Sequence, residues 1–141
     1  MTKAGGHHLL LQRADRGRAM VVEYLRYRIA PGGGAAFEAA YADAATVLAS
    51  SPFCLDYELS RRTDEQTGPK PEPADEAEHY VLRIRWTSSE DHLAGFRRSP
   101  DFGRFFAAVR PYLSDLEEMR HYRETTVVGR GGADGQDRRT A

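Results

Sequence analysis

Apolar positions along the chain fall into two rhythms, and the switches between them draw an element order. "MVVEYLRYRI" (20–29) is dominated by β-branched and aromatic residues and reads as a strand. "APGGG" breaks it. In "AAFEAAYADAATVLAS" (35–50), Phe37, Tyr41, Ala44 and Leu48 recur at steps of 4, 3 and 4. That spacing predicts one apolar stripe on a helix, with Pro52 marking its end. "FCLDYELSRR" (53–62) alternates strictly, Leu55, Tyr57 and Leu59 against Cys54, Asp56, Glu58 and Ser60, which predicts a half-buried strand. "HYVLRIRW" (79–86) alternates again, Tyr80, Leu82, Ile84 and Trp86 against His79, Val81, Arg83 and Arg85.

Helical spacing returns after Trp86. Ser88 followed by Asp91 resembles a capping box with Asp in the usual Glu or Gln place. Ser99-Pro100 reads as an N-cap with proline at the first helical position. Phe102, Phe105, Phe106 and Val109 then share a face. Pro111 is expected to start a short further turn that buries Leu113 and Leu116. "EMRHYRETTVV" (118–128) reads as the last strand. The order is β-α-β-β-α-β: an α+β, ferredoxin-like split βαβ fold with an antiparallel sheet. Both helices should cover one sheet face. The other face would carry Tyr24, Arg26, Arg28, Asp56, Glu58, Arg83 and Arg85, whose charges can pair across strands or across a dimer.

Composition narrows the class. The 141 residues suit one domain, large enough to bury roughly 68–70% of the unfolded surface. The expected layout is a disordered leader at 1–19, a folded domain at 20–128 and a disordered Gly-rich tail at 129–141. "TDEQTGPKPEPADEAE" (63–78) reads as a long acidic, Pro-rich loop. Twenty basic and 21 acidic residues leave a net charge of −1, so nucleic-acid binding is not expected. No apolar run approaches the ~20 residues of a membrane span, and "LLL" near the start is too short for a signal-peptide core. The single cysteine, Cys54, fits a reducing cytoplasm and has no basic neighbour to activate it. No Gly-rich nucleotide loop or compact metal-ligand cluster stands in the sequence, so neither metal nor cofactor is expected.

"YLRYRI" before the Pro-Gly break, "SPFCLDYELSRR", "HYVLRIRWTSSEDHLAGFRRSPDFGRFF" and "EMRHYRET" together resemble the antibiotic biosynthesis monooxygenase (ABM) superfamily. The resemblance implies a dimeric α+β barrel in the cytoplasm. Two kinds of relative matter: cofactor-free quinone-forming monooxygenases of polyketide pathways, and small haem-degrading oxygenases. For the first kind it implies an oxygenase that takes an aromatic or polyketide-like molecule and O₂. The family's strand tryptophan matches Trp86, and its tyrosine six residues later is His92 here. The asparagine four residues before the tryptophan is Leu82, and the arginine twenty residues after it is Phe106. Haem-degrading relatives place their iron-binding histidine at about Phe106 as well, and a phenyl ring cannot ligate iron.

The expected site follows. His92 is the acid or base and Arg110, one turn beyond Phe106, a replacement anion stabiliser. Substrate contacts are expected from Trp86, Tyr57, Tyr80, Leu82, Phe37, Tyr41, Phe96, Phe105 and Phe106. Arg97 and Arg98 suggest an anion site but read first as a solvated helix face, and His79 and His121 read as strand-end histidines with no acid paired to them. The apolar residues at 82 and 106 also motivate a second reading, a non-catalytic dimeric module for a hydrophobic ligand or a protein partner.

Overall fold

The structure, a computed structural model, describes residues 20–63 and 75–133. The expected leader and most of the acidic loop lie outside the described residues, as does the tail from 134 onward. β1 (Val21–Ile29) is followed by α1 (Gly34–Ser50), β2 (Cys54–Arg61) and β3 (Glu78–Trp86). A π-helical turn (Asp91–Phe96), α2 (Pro100–Val109), a 3₁₀ turn (Arg110–Asp115) and β4 (Leu116–Arg123) complete the chain. Among the described residues the four strands form one sheet in the order β2-β3-β1-β4, and every neighbouring pair is antiparallel. This is the expected α+β ferredoxin-like arrangement.

β1 and β3 are central, so their alternation is sharpest. Val21, Leu25, Tyr27 and Ile29 face the helices with Tyr80, Leu82, Ile84 and Trp86. α1 contributes Phe37, Tyr41, Ala44 and Leu48, the stripe that the spacing predicts, together with Val47. Each large side chain removed from water in this layer stabilises the fold by roughly 1.5–3 kcal/mol. Phe37 sits at the centre of an aromatic group, with Tyr27, Tyr41, Tyr80 and Tyr112 rings packed at 4.8–5.1 Å. The opposite sheet face carries the expected charges, and they pair across strands within the chain. Arg83 bonds Glu58 at 2.6 Å, and Arg85 reaches Asp56 at 2.7 Å and Glu124 at 2.9 Å.

Three expectations need correction. β2 is an edge strand, and its register with β3 shifts between Cys54 and Asp56, a bulge that leaves Leu55 unpaired. Leu55 and Tyr57 are consequently 46% and 36% exposed rather than buried. Leu113, expected in the core, is 43% exposed, because the 3₁₀ turn is too short to present a full apolar face. β4 stops at Arg123, five residues before the predicted end at Val128, because its pairing with β1 ends where β1 begins, at Val21.

The two helix starts behave as read, with local differences. Ser88 Oγ accepts the Asp91 N–H at 2.9 Å, while the Asp91 carboxylate takes a bond from the Thr87 hydroxyl at 2.6 Å instead of closing the box. Ser99 precedes Pro100 at the start of α2, but its hydroxyl donates back to the Phe96 carbonyl at 2.7 Å.

Gly34 opens α1 against β3. Its N–H bonds the Glu78 carboxylate at 2.8 Å, and an added Cβ would meet Glu78 Oε1 at 2.6 Å and the Tyr80 hydroxyl at 2.5 Å. Tyr80 cannot give way freely, since it is buried and donates to Glu38 at 2.6 Å. Gly34→Ala is therefore expected to destabilise the fold by about 1–3 kcal/mol. Thermal unfolding followed by circular dichroism checks this; an unchanged midpoint would contradict the packing described.

Candidate functional site

An interruption in the apolar face of β1 places the site. Glu23 follows the Val21, Leu25, Tyr27, Ile29 alternation, so its carboxylate points under the helices and is 4% exposed. It is not left without partners. The Trp86 indole N–H donates to Glu23 Oε1 at 3.0 Å from the facing strand. His92 Nε2 lies 3.5 Å from the same oxygen, and His121 Nε2 lies 3.9 Å from Oε2. His121 is the β4 residue directly opposite Glu23. The two imidazoles meet at 2.9 Å through His92 Nδ1 and His121 Nε2.

The π-helical turn delivers His92. Its wide ring is closed by the Arg97 N–H bonding the His92 carbonyl at 3.0 Å. Such turns are frequent at functional sites because they re-aim side chains. Here His92 and Phe96 both point inward. The His92 ring lies flat on Trp86, with centroids 4.4 Å apart and planes within 13°. Gly95 lets the turn sit against the Phe53 ring, which an added Cβ would meet at 2.9 Å.

Above this polar group lies a cavity of about 120 Å³ between the sheet and α2. Tyr27, Tyr41, Ile84, Trp86, Phe96 and Phe105 form much of its wall. Glu23 and His92 are at its polar end, and Phe106, Arg97 and Met119 also line it. Arg97 itself is exposed, with its guanidinium 5.8 Å from the Phe102 ring centroid. A larger and more open groove of about 280 Å³ lies between α1 and β2, but it offers no buried ionisable group apart from the Tyr41 hydroxyl.

Six of the eleven residues expected at the site line this cavity: Trp86, His92, Tyr41, Phe96, Phe105 and Phe106. Five do not. Arg110 is exposed at the end of α2, because helical spacing turns it outward as Val109 turns in. Tyr57 and Leu82 border the other groove. Phe37 and Tyr80 are core residues, with Tyr80 anchored to Glu38. Sequence reasoning missed Glu23 and left His121 without an acid. The signal for Glu23 was present: an acidic residue in phase with the apolar positions of β1. Cys54 is half-buried, and burial pushes its thiol up to about 11, in keeping with an unreactive cysteine.

Burial governs the protons here. It pushes the Glu23 carboxyl up to about 7, against the opposing pull of the Trp86 N–H and of Arg97. It holds His92 down to about 3, helped by His121 and Arg97, and with Arg97 it also lowers His121. The neutral acid and the neutral imidazole are thus the favoured pair, and Glu23 is the group that changes charge near neutral pH.

That shift has a sign that can be measured. Unfolded, Glu23 ionises near 4.5; folded, it keeps its proton up to about 7. Below the lower value it contributes nothing; between the two, rising pH costs stability, and above the upper value the cost is constant. Glu23→Gln removes that cost while keeping an acceptor for Trp86. The variant should gain on the wild type between about pH 4.5 and pH 8, by about 3 kcal/mol at most. Unfolding midpoints of both proteins at the two pH values test this, and a pH-independent difference would contradict it.

The profile of the antibiotic biosynthesis monooxygenase family matches residues 20–108. YczJ of Bacillus subtilis (strain 168), an uncharacterised protein, is 24% identical over 105 residues, covering 74% of this chain and 99% of its own. A Bordetella bronchiseptica protein, named a candidate antibiotic biosynthesis monooxygenase, superposes with a TM-score of 0.57 at 22% identity over 76% of this chain and 98% of its own. A single-site variant of SnoaB, a cofactor-independent oxygenase from Streptomyces nogalater, gives 0.54 at 22% identity, covering 79% and 96%. At these identities the structural matches establish the fold. With the profile spanning more than half of its length, the chain belongs to the antibiotic biosynthesis monooxygenase family.

Proposed function

We propose that the chain is an O₂-dependent monooxygenase acting on a small aromatic molecule that carries an acidic phenol or C–H group. One observation carries this reading: an aromatic-walled cavity whose buried ionisable end is Glu23 beside His92. SnoaB, a cofactor-independent oxygenase with the same fold, supports it. At about 120 Å³ the cavity is somewhat smaller than an apolar cavity of about 150 Å³ that accepts benzene, so a single ring enters with part of it at the mouth and larger fused systems extend further out.

In this reading Trp86, Tyr41, Phe96, Phe105 and Phe106 hold the ring. Glu23, once ionised above about pH 7, takes the proton rather than His92, because burial raises the basicity of the carboxylate toward neutrality and makes the imidazole a weak base. The substrate anion then gives electrons to O₂. In the overall step a CH₂ carbon and O₂ become C=O and water, one oxygen atom in each product, so no outside reductant is consumed. Arg97, at the cavity wall, takes the anion-stabilising part that the sequence suggested for Arg110.

O₂ uptake with a panel of anthrones, naphthols and hydroquinones tests the proposal. The wild type should consume O₂ in the presence of at least one member, and Glu23→Gln should lower kcat/KM about a hundredfold or more with little change in ligand affinity. Saturable binding with no protein-dependent O₂ uptake would instead favour the non-catalytic binding module.

The same reading includes a homodimer formed through the outer face of the sheet, where Tyr24 and Tyr122 pack edge to face at 5.4 Å. Light scattering after gel filtration should give about twice the 15.8 kDa chain mass. A monomeric mass would contradict that part.

A further inference from the structure

Glu23, His92 and His121 come from three separate elements, yet one ligand atom from each lies within 4.8 Å of the other two. They are far apart in the chain, which is why no ligand spacing stands out in the sequence. We propose that these three side chains bind one first-row divalent transition ion at the floor of the cavity.

Two imidazoles and one carboxylate form a set that iron(II) and zinc(II) use when positions are left open for other ligands. Ligands on one ion at bonds of about 2.0–2.2 Å lie about 3 Å apart, and His92 Nδ1 and His121 Nε2 already stand at 2.9 Å. The carboxylate is the wider member: Oε2 lies 3.9 Å from His121 Nε2, and Oε1 approaches His92 through Nε2 at 3.5 Å, so ligation through His92 Nδ1 requires the carboxylate to shift toward the imidazoles.

Trp86 fixes Glu23 by its N–H bond at 3.0 Å and fixes the His92 ring by stacking at 4.4 Å, the kind of orienting contact that metal ligands depend on. Glu23 and His92 are 4% and 5% exposed, whereas His121 is exposed, so an ion can arrive from the solvent side and present its open positions to the cavity. The inference does not depend on the proposed reaction, since it concerns what the three side chains hold. As a ligand Glu23 no longer accepts a proton, so ion-loaded and ion-free chains differ in reactivity.

The test titrates Zn²⁺ into the EDTA-stripped full-length chain by calorimetry, and Co²⁺ with its visible d–d bands as readout. Wild type should bind one ion per chain, with bands of a nitrogen- and oxygen-ligated site. His121→Ala and Glu23→Gln should each weaken binding at least about a hundredfold while circular dichroism shows both folded. His121 is exposed, so its removal leaves the core intact even if the buried variant fails to fold. Absence of saturable binding, or affinity unchanged in His121→Ala, would overturn the inference. O₂ uptake by the stripped protein is scored separately. Ion binding without turnover leaves this inference standing and removes the proposed reaction; turnover without ion binding does the reverse.

Discussion

A carboxylate removed from water must find partners, and the arrangement around Glu23 follows from that requirement. An unpaired buried charge costs several kcal/mol, so the fold supplies an indole N–H, two imidazoles and the option of staying protonated. Each partner arrives on a different element: Trp86 on β3, His92 on the π-helical turn, His121 on β4. Strand order makes this possible. β1 lies between β3 and β4, so a residue on its inner face meets both neighbours and the turn above them. An acid on the edge strand β2 would have no β4 neighbour and so no His121.

The rest of the core surrounds that group with largely apolar side chains. Tyr27 and Tyr41 pair through their hydroxyls, and burial pushes both above the usual phenol range, so they stay neutral and act as wall rather than as base. Phe96, Phe102 and Phe105 pack edge to face or stacked at 5.7–6.4 Å and leave a gap instead of filling it. Low polarity strengthens each electrostatic contact inside, which is how one carboxylate can dominate the chemistry of a small cavity.

Much of the fold was legible because periodicity reports burial. The Phe37, Tyr41, Ala44, Leu48 stripe and the Tyr80 to Trp86 alternation both appear where the spacing put them. Leu55 shows where that logic stops: alternation marks a face, but a bulge on an edge strand decides whether the face is covered. The site was half legible. Trp86 and His92 stood out as the tryptophan at a strand end and the histidine beyond it. Glu23 could have been found as the acid in phase with an apolar strand, but its meaning depends on His92 and His121, which lie 69 and 98 positions away in the chain. Arg110 lies away from this cavity for a simpler reason. The i,i+4 rule places it near Phe106, and Phe106 is itself only partly buried at the edge of the helix face.

A crystal structure of the chain with a single-ring phenol bound bears most directly on the central claim, that the Glu23–His92 end is where this cavity does its work. The account predicts the ring between Trp86, Tyr41 and Phe105, with the phenol oxygen about 2.6–3.2 Å from Glu23 or His92. A phenol lodged in the groove between α1 and β2, beside Tyr57 and Leu82 and away from Glu23, would contradict it.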